Sequence, residues 1–278
     1  MNQSFKEALK KGNVDLVKDL LKEIGDINLK DRDKNTPLIL ASKWNNLEVA
    51  ELLLEQNGVD LEIKGELERT ALMWAVSQGN LEMASLLLGK GANPNAKGLA
   101  GMSLLIYAVD GDEPDYEIVK LLIDSGVDVN AADRNGETPL RFAIENELFE
   151  IVQLLVESGA VIEHPDARPH RSYHHMGHLF LASLYGRANI LDFFLKRGLD
   201  PNAENAEGVT LLMTAIQENR QGHLECVKLL IELGVDLQAQ NKDGESAKMI
   251  LEKRLKKQKE ESGIDPDEIS YQMLQMLT

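Results

Sequence analysis

Apolar residues along the chain recur in short helical stripes that are separated by turn signals. Between residues 134 and 160, one i, i+3, i+4 stripe covers 140–144 and a second covers 151–155. Thr138 can cap the first helix through its hydroxyl, and Pro139 suits the first helical position because the N–H it lacks would have no partner there. The pattern predicts two antiparallel helices joined by a turn, and such a pair could not bury its apolar face alone.

The same pair of stripes recurs along most of the chain. A small residue after the first apolar pair marks the register of each unit. The marks are separated by 33 to 39 residues, and they fall at Ala8, Ala41, Ala75, Ala108, Ala143, Ala182 and Ala215, with Leu251 in the equivalent place. A period of about 33 residues is typical of one class of repeat protein, in which each repeat is a turn and two helices.

Short motifs recur in phase with this period. Leucine runs fall in the second helices and glycine-rich segments follow them, as in residues 91–95, 126–130 and 198–202. The helix starts read Thr36-Pro37-Leu38, Thr70-Ala71-Leu72, Ser103-Leu104-Leu105, Thr138-Pro139-Leu140 and Thr210-Leu211-Leu212. In these motifs nearly the whole chain resembles the ankyrin repeat family.

The resemblance implies an all-α fold with short β-hairpin loops, a solenoid in which helix-turn-helix units stack side by side. It implies a single domain over residues 1–278. The expected units are an N-terminal capping repeat at 1–33, internal repeats at 34–67, 68–100, 101–135, 136–174, 175–207 and 208–243, and C-terminal capping helices at 244–278.

One feature departs from the family pattern. The histidine that usually follows Thr-Pro-Leu, and that hydrogen-bonds neighbouring turns in the family, is absent from this chain. Its place is taken by Ile39, Met73, Ile106, Arg141, Phe180 and Met213. We therefore expect apolar contact to replace that hydrogen-bond network.

Composition narrows the classes of partner. The formal net charge of -16 repels phosphate backbones, which argues against nucleic acid and anionic membranes and favours a protein with a neutral or basic surface. The single cysteine, Cys226, excludes an internal disulfide, and its register predicts a buried thiol rather than a reactive one. Without a secretion signal or a run of 18 apolar residues, we expect a cytoplasmic, monomeric protein.

In the ankyrin family, a concave groove formed by the first helices and the hairpin tips commonly binds other proteins. The same register here gives the candidate partner-binding residues Lys43, Trp44, Ser77, Gln78, Asp110, Glu145, Asn146, Leu184, Tyr185, Gln217 and Glu218. The tips add Lys34, Glu66, Glu68, Lys97, Arg134, His170, Arg171, Tyr173, Glu207 and Lys242. Trp44, Leu184 and Tyr185 are either binding hot spots or side chains packed against the next repeat.

The largest insertion, residues 161–177, contains or adjoins five of the six histidines. One interpretation is an elongated tip that offers Arg168, Arg171 and Tyr173 to a partner. A second is a metal site that uses His174 and His178, although the spacing matches no known zinc pattern. A passive surface loop is the third. The acidic loop 110–115 gives the same choice between an ordinary loop and a site for a hard cation.

No motif for a nucleophile, a phosphate-binding loop or a paired acid and base stands out in the sequence. The repeat also places the carboxylates on outer faces, where water would leave their pKa values unchanged. We therefore expect a non-catalytic module that binds a protein and needs no cofactor. The alternatives are a metal-responsive module that binds zinc or nickel through residues 164–178, and a self-associating scaffold.

Overall fold

The computed structural model describes residues 1–111, 114–162, 177–263 and 265–278. Within these ranges the chain is helical and contains no β-strand, only a single antiparallel bridge between Glu204 and Thr210. The helices are α1 (Gln3–Lys11), α2 (Val14–Leu21), α3 (Pro37–Lys43), α4 (Leu47–Leu54), α5 (Ala71–Ser77), α6 (Leu81–Gly89), α7 (Leu104–Val109), α8 (Tyr116–Asp124), α9 (Pro139–Glu145), α10 (Phe149–Glu157), α11 (His178–Leu184), α12 (Ala188–Leu195), α13 (Leu211–Ala215), α14 (Gln221–Glu232), α15 (Ala247–Ser262) and α16 (Glu268–Met276). The predicted all-α fold of paired helices is confirmed.

Six of the first helices begin at a hydroxyl residue, whereas α1 begins at Asn2 and α11 at Gly177. The side-chain oxygen of each hydroxyl residue accepts a hydrogen bond from the backbone N–H three residues later, at N···O distances of 3.3 to 3.4 Å. These caps are Thr36, Thr70, Ser103, Thr138, Thr210 and Ser246, so the predicted cap at Thr138 is confirmed. Each cap stabilises its helix by about 1 kcal/mol, and all of these helices except α15 are too short to form alone.

The described residues form two compact units. Unit 1 is Met1–Phe142 with Glu157–Gly159, and unit 2 is Ala143–Val156 with Ala160–Thr278. In unit 1 the first helices α1, α3, α5 and α7 pack in sequence, and so do the second helices α2, α4, α6 and α8. In unit 2, α11, α13 and α15 form one row and α12, α14 and α16 form the other. That residues 1–278 form a single domain with the repeat bounds given above stays a prediction.

Small and apolar side chains fill the layers between the helices. The alanines that mark the register, such as Ala41, Ala75 and Ala182, are fully buried, and their size allows neighbouring helices to approach closely. Cys226 is also buried, as predicted, and loss of hydration raises the pKa of its thiol to about 12. A thiol with that pKa stays protonated at neutral pH and acts as a packing group.

Polar side chains also link successive repeats. In three repeats, the side chain just before or at the start of the second helix donates a hydrogen bond to a carbonyl oxygen at the end of the preceding first helix. The bonds are Asn46 Nδ2 to Leu9 O at 2.7 Å, Arg187 Nη2 to Glu145 O at 2.6 Å, and His223 Nε2 to Leu184 O at 2.9 Å. The residues that take the place of the family's histidine are buried, as Ile39, Met73 and Ile106 show, so apolar contact does stand in at that position. The polar links lie elsewhere, where the helix ends leave carbonyl groups that need donors.

Candidate protein-interaction site at two hairpin tips

Successive repeats are joined by hairpin tips, of which the described residues contain six. Each tip is closed by one backbone hydrogen bond, in which the N–H of its first residue donates to the carbonyl oxygen of the fifth. The N···O distances are 2.9 to 3.1 Å, and the tips are 31–35, 65–69, 98–102, 133–137, 205–209 and 241–245. The expected β-hairpin loops are therefore five-residue turns.

Four of these tips begin with Asp or Asn, and we call them the Asx tips. The side-chain oxygen of the first residue accepts hydrogen bonds from the N–H groups two and four residues later, at 2.8 to 3.0 Å. Such a side chain substitutes for a backbone acceptor and holds the turn from within. The first residues are Asp31, Asp133, Asn205 and Asn241.

The other two tips, 65–69 and 98–102, begin with glycine, and we call them the glycine tips. Neither position has room for a side chain. A Cβ atom would lie 2.3 Å from Asn35 Oδ1 at Gly65 and 2.4 Å from the Tyr107 hydroxyl at Gly98. At the first tip, Asn35 Oδ1 instead accepts a hydrogen bond from the Glu66 N–H at 2.9 Å. The first glycine tip is thus supported by a side chain of the preceding tip, and at the second the backbone N–H of Arg134 donates to the Ala100 carbonyl oxygen at 2.9 Å.

The glycine tips differ from the Asx tips in the backbone of their third residue, Leu67 or Ala100, and in their surface. Leu67, Glu68 and Ala100 adopt left-handed conformations with φ of 57°, 56° and 55°. This region costs a residue with a side chain roughly 1–2 kcal/mol. Leu67 and Leu99, one at each glycine tip, are 51% and 53% exposed. The strained backbone therefore holds two large apolar side chains in water.

A cavity of about 280 Å³ lies beside these leucines, and we call it the tip pocket. Both glycine tips contribute to it, as does the end of α7. Its lining residues are Leu67, Arg69, Ser77, Leu99, Met102, Tyr107, Asp110 and Gly111. The pocket thus has apolar sides together with one cationic and one anionic group.

Arg69 is held in the wall of the tip pocket between two aromatic rings. Its guanidinium carbon lies 4.7 Å from the centroid of the Trp74 ring and 4.8 Å from that of Tyr107. Its Nη1 donates to Ser77 Oγ at 3.1 Å. Among the described residues, Arg69 Nε and Trp74 Nε1 have no hydrogen-bond partner although both atoms are buried. Stacking fixes the guanidinium in place and leaves part of its hydrogen-bonding capacity unused.

Lys43 extends this arrangement into the preceding repeat. Its Nζ lies 4.5 Å from the centroid of the Trp74 ring and 2.5 Å from Glu66 Oε2. The hydrogen bond from Lys43 holds the pKa of Glu66 below its usual value, so the Glu66 carboxylate is ionised at neutral pH. Lys43 was expected to face a partner directly, but its ammonium group already binds the glycine tip at Glu66.

The other candidates of unit 1 have mixed positions. Asp110 is exposed and lines the tip pocket, while Gln78 and Trp44 are half-buried. Ser77 is a correction, because it was expected on the surface and is only 5% exposed. Its hydroxyl accepts from Arg69 and donates to the Trp74 carbonyl at 3.3 Å, so it supports the pocket from inside.

In unit 2 the structure brings two candidates together. The Tyr185 hydroxyl donates a hydrogen bond to Glu145 Oε1 at 2.9 Å, so this hydroxyl links two repeats. Leu184 is half-buried, and Asn146, Gln217 and Glu218 are exposed. Glu218 forms an ion pair with Arg220 at 2.8 Å.

Most of the predicted insertion lies outside the described residues, including Arg168, His170, Arg171, Tyr173 and His174. The histidine that is described, His178, is buried at the start of α11 with its Nδ1 2.6 Å from Ile162 O. The described residues also contain no group of three or more His, Cys, Asp or Glu side chains that could hold a metal ion.

The residues of the tip pocket were largely missed from the sequence. Trp74 and Tyr107 occupy the same register in consecutive repeats, just before the alanine mark, and neither was a candidate. Both are nearly buried, yet their rings hold Arg69 in the pocket wall. A usable signal was present, because Gly65 and Gly98 stand where the other tips have Asp or Asn.

Comparison with known proteins identifies the repeats. A family model of ankyrin repeats matches residues 5–98, 97–166 and 177–251. The human B-cell lymphoma 3 protein is 31% identical over 231 residues, which cover 81% of this chain and 49% of that protein. A fowlpox virus (strain NVSL) protein described as an ankyrin repeat protein is 35% identical over 155 residues, which cover 54% of this chain and 45% of the viral protein. The chain thus spans less than half of these curated relatives.

A solved structure supports the same fold. The crystal structure of the ankyrin repeat domain of Bcl-3 aligns with a TM-score of 0.66 and 26% identity, covering 88% of this chain and 99% of that chain.

Among the helices of the described ranges, none combines the length and apolar content needed to span a bilayer.

Proposed function

Because the chain belongs to the ankyrin repeat family, whose repeats generally mediate protein–protein interaction, we propose that it is a non-catalytic module that binds a protein partner through the tip pocket. The partner inserts an apolar side chain between Leu67 and Leu99. Trp44 and Gln78 are further proposed contacts in unit 1. In unit 2 the proposed contacts are Glu145, Asn146, Leu184, Tyr185, Gln217 and Glu218.

The observation that carries the proposal is the exposure of two leucines on a strained backbone. Leu67 and Leu99 are 51% and 53% exposed, and Leu67 has a positive φ of 57°. Neither feature stabilises an isolated chain, since burying a leucine would be favourable by about 2 kcal/mol and the left-handed conformation costs energy. A partner that covers the leucines would recover the burial energy.

Charge selects the class of partner. The net charge of -16 favours a neutral or basic protein surface. At the pocket itself, the exposed Asp110 provides a carboxylate for a basic group that flanks the inserted apolar side chain.

The test uses peptides selected on the wild-type chain from a random-sequence library. Their affinities are then measured for a Leu67→Ala/Leu99→Ala variant. Because Leu67 and Leu99 are the proposed contacts, truncating both should lower the affinity of most selected peptides at least about tenfold. The matched control is Leu233→Ala in unit 2, which removes another leucine that is 49% exposed. Peptides that bind both variants as tightly as the wild type would overturn the proposal.

We further propose that the module acts as a cytoplasmic monomer. The support is its single buried cysteine, which cannot form a disulfide within the chain. A fluorescent fusion tests the location and light scattering tests the oligomeric state. A secreted fusion or a concentration-independent dimer would contradict the respective statement.

A further inference from the structure

A second groove lies on the other row of helices in unit 1, away from the tip pocket. It is formed by α4, α6 and α8, has a volume of about 660 Å³, and we call it the second-helix groove. Its apolar residues are four half-buried leucines, Leu47, Leu81, Leu86 and Leu121. The remaining lining residues are exposed, and they are Glu51, Glu82, Ser85, Glu117, Lys120 and Asp124.

The charges along this groove are unbalanced. Four carboxylates face a single cation, Lys120, and within the described residues none of these five groups forms an ion pair. Elsewhere the exposed lysines of α15 pair with nearby carboxylates, as Lys256 does with Glu260. An apolar floor with an unpaired acidic rim is complementary to a ligand that has an apolar stripe between basic residues.

In unit 2, side chains of the chain itself cover the surface that is equivalent to the second-helix groove. Phe193 replaces the leucine that lines the groove in unit 1, and it is only 8% exposed. Its ring makes an edge contact with Phe149 at 5.8 Å, and the Arg197 guanidinium covers it at 3.6 Å. This chain can thus close the row with its own side chains, and in unit 1 it leaves the row open.

We propose that the second-helix groove binds a basic amphipathic helix of a protein partner. A helix fits better than an extended segment, because the groove walls are helices whose backbone groups are paired internally and offer no strand edge. Leucine-like residues spaced i, i+3, i+4 and i+7 would contact Leu81, Leu86 and Leu121. Lysine or arginine on the flanks would pair with the acidic rim. The chain's own charge of -16 disfavours a second copy as the occupant.

The test uses a synthetic peptide of about 18 residues with a leucine stripe and lysine flanks, which forms a basic amphipathic helix. Fluorescence anisotropy measures its binding to the full chain at about 0.15 M salt, where non-specific attraction is screened beyond about 8 Å. A peptide with glutamate for every lysine controls for the charge. A scrambled peptide of the same composition controls for the amphipathic pattern.

Variants assign the binding to the groove. The Glu82→Lys/Glu117→Lys variant should bind the basic peptide at least about tenfold more weakly than the wild type. Leu86→Ala should weaken this binding about threefold or more through lost apolar contact. Glu225→Lys is the matched control, because this exposed residue has the same register on α14 of unit 2 and should leave binding unchanged. The tip variant Leu67→Ala/Leu99→Ala should also bind normally, which separates this inference from the proposed function.

Three results would overturn the inference. The first is absence of binding to the wild-type chain, and the second is equal loss in the Glu225→Lys control, which would indicate general attraction to an acidic protein. The third is self-association of the wild-type chain that the Glu82→Lys/Glu117→Lys variant abolishes, since a second copy would then be the occupant.

Discussion

The Asx tips and the glycine tips make the same five-residue turn by different means. In an Asx tip such as 205–209, the first side chain accepts two backbone N–H groups, and glycine adopts the left-handed conformation at the fourth position. In the glycine tip 65–69 that side chain is absent, and Leu67 and Glu68 are both left-handed. The conformation of a glycine tip therefore depends on contacts with neighbouring residues. Its left-handed residues and its exposed leucine also lower the stability of the folded chain.

This difference is the basis on which we propose that some tips stabilise the stack and others bind a partner. The Asx tips are internally bonded, and their exposed residues are mostly charged. The two glycine tips are adjacent, and both leucines beside the tip pocket belong to them. Strain and exposed apolar surface thus coincide at one place in unit 1, as they do where stability is given up for binding.

The largest effect should follow from removing the ring that supports the glycine tip 65–69. Trp74→Ala deletes a buried side chain and both of its cation contacts, so we expect a loss of about 3–5 kcal/mol in the free energy of unfolding. Urea unfolding followed by circular dichroism measures it, and Trp74→Phe should lose much less. A loss below about 1 kcal/mol would contradict a structural role for the ring.

A second change converts a glycine tip towards an Asx tip. Gly98→Asn places a Cβ atom 2.4 Å from the Tyr107 hydroxyl, and we expect a loss of about 2 kcal/mol because that ring must move. The control is Gly25→Asn, where no atom lies within 4 Å of the new Cβ and stability should hardly change. Equal stability of both variants, measured by urea unfolding, would show that the glycine tips do not need glycine.

The converse change removes the internal support of an Asx tip. Asn205→Ala deletes the acceptor of two backbone hydrogen bonds at 2.9 and 3.0 Å, so we expect a loss of about 1–2 kcal/mol. Asn205→Asp keeps the oxygen and should retain most of the stability. Thermal unfolding by circular dichroism compares them, and an aspartate variant as unstable as the alanine variant would argue against the hydrogen bonds.

The smallest effect concerns pH at the first Asx tip. Burial opposes ionisation of Asp31, but hydrogen bonds from Lys6 and from the N–H groups of Asn35 and Asp33 outweigh it and lower its pKa below the usual 3.8. A lowered pKa contributes stability that is complete above the unfolded value and is lost as pH falls below it. Asp31→Asn should therefore flatten the pH dependence of unfolding below about pH 4, which tryptophan fluorescence in urea can follow. An unchanged slope would contradict this assignment.

The fold was largely predictable, because the periodic stripes, the hydroxyl caps and the spacing of the alanine marks depend on local sequence. Thr138 shows this, since both its cap and the following helix are as predicted. The polar links between repeats were not predictable in the same way. Asn46, Arg187 and His223 make the same kind of bond with unrelated side chains, so no residue pattern indicates it.

The candidate site was predictable only in part. Three of the sequence candidates, Lys43, Ser77 and Asp110, belong to or adjoin the tip pocket. Their contacts were not predictable, since a helical register does not say whether a side chain points to solvent or is held by a neighbour. Arg69 becomes a pocket residue only through rings from two repeats, and that packing depends on the folded stack.

The most direct test of a partner site at the glycine tips compares two substitutions to glycine. Leu67 and Lys34 both have a positive φ, 57° and 65°, and glycine at either position should raise the free energy of unfolding by about 1 kcal/mol. The measurement is the affinity of each variant for a peptide selected on the wild-type chain. We expect Leu67→Gly to be more stable and to bind at least about tenfold more weakly, while Lys34→Gly is more stable and binds normally. Unchanged binding by Leu67→Gly would contradict the account.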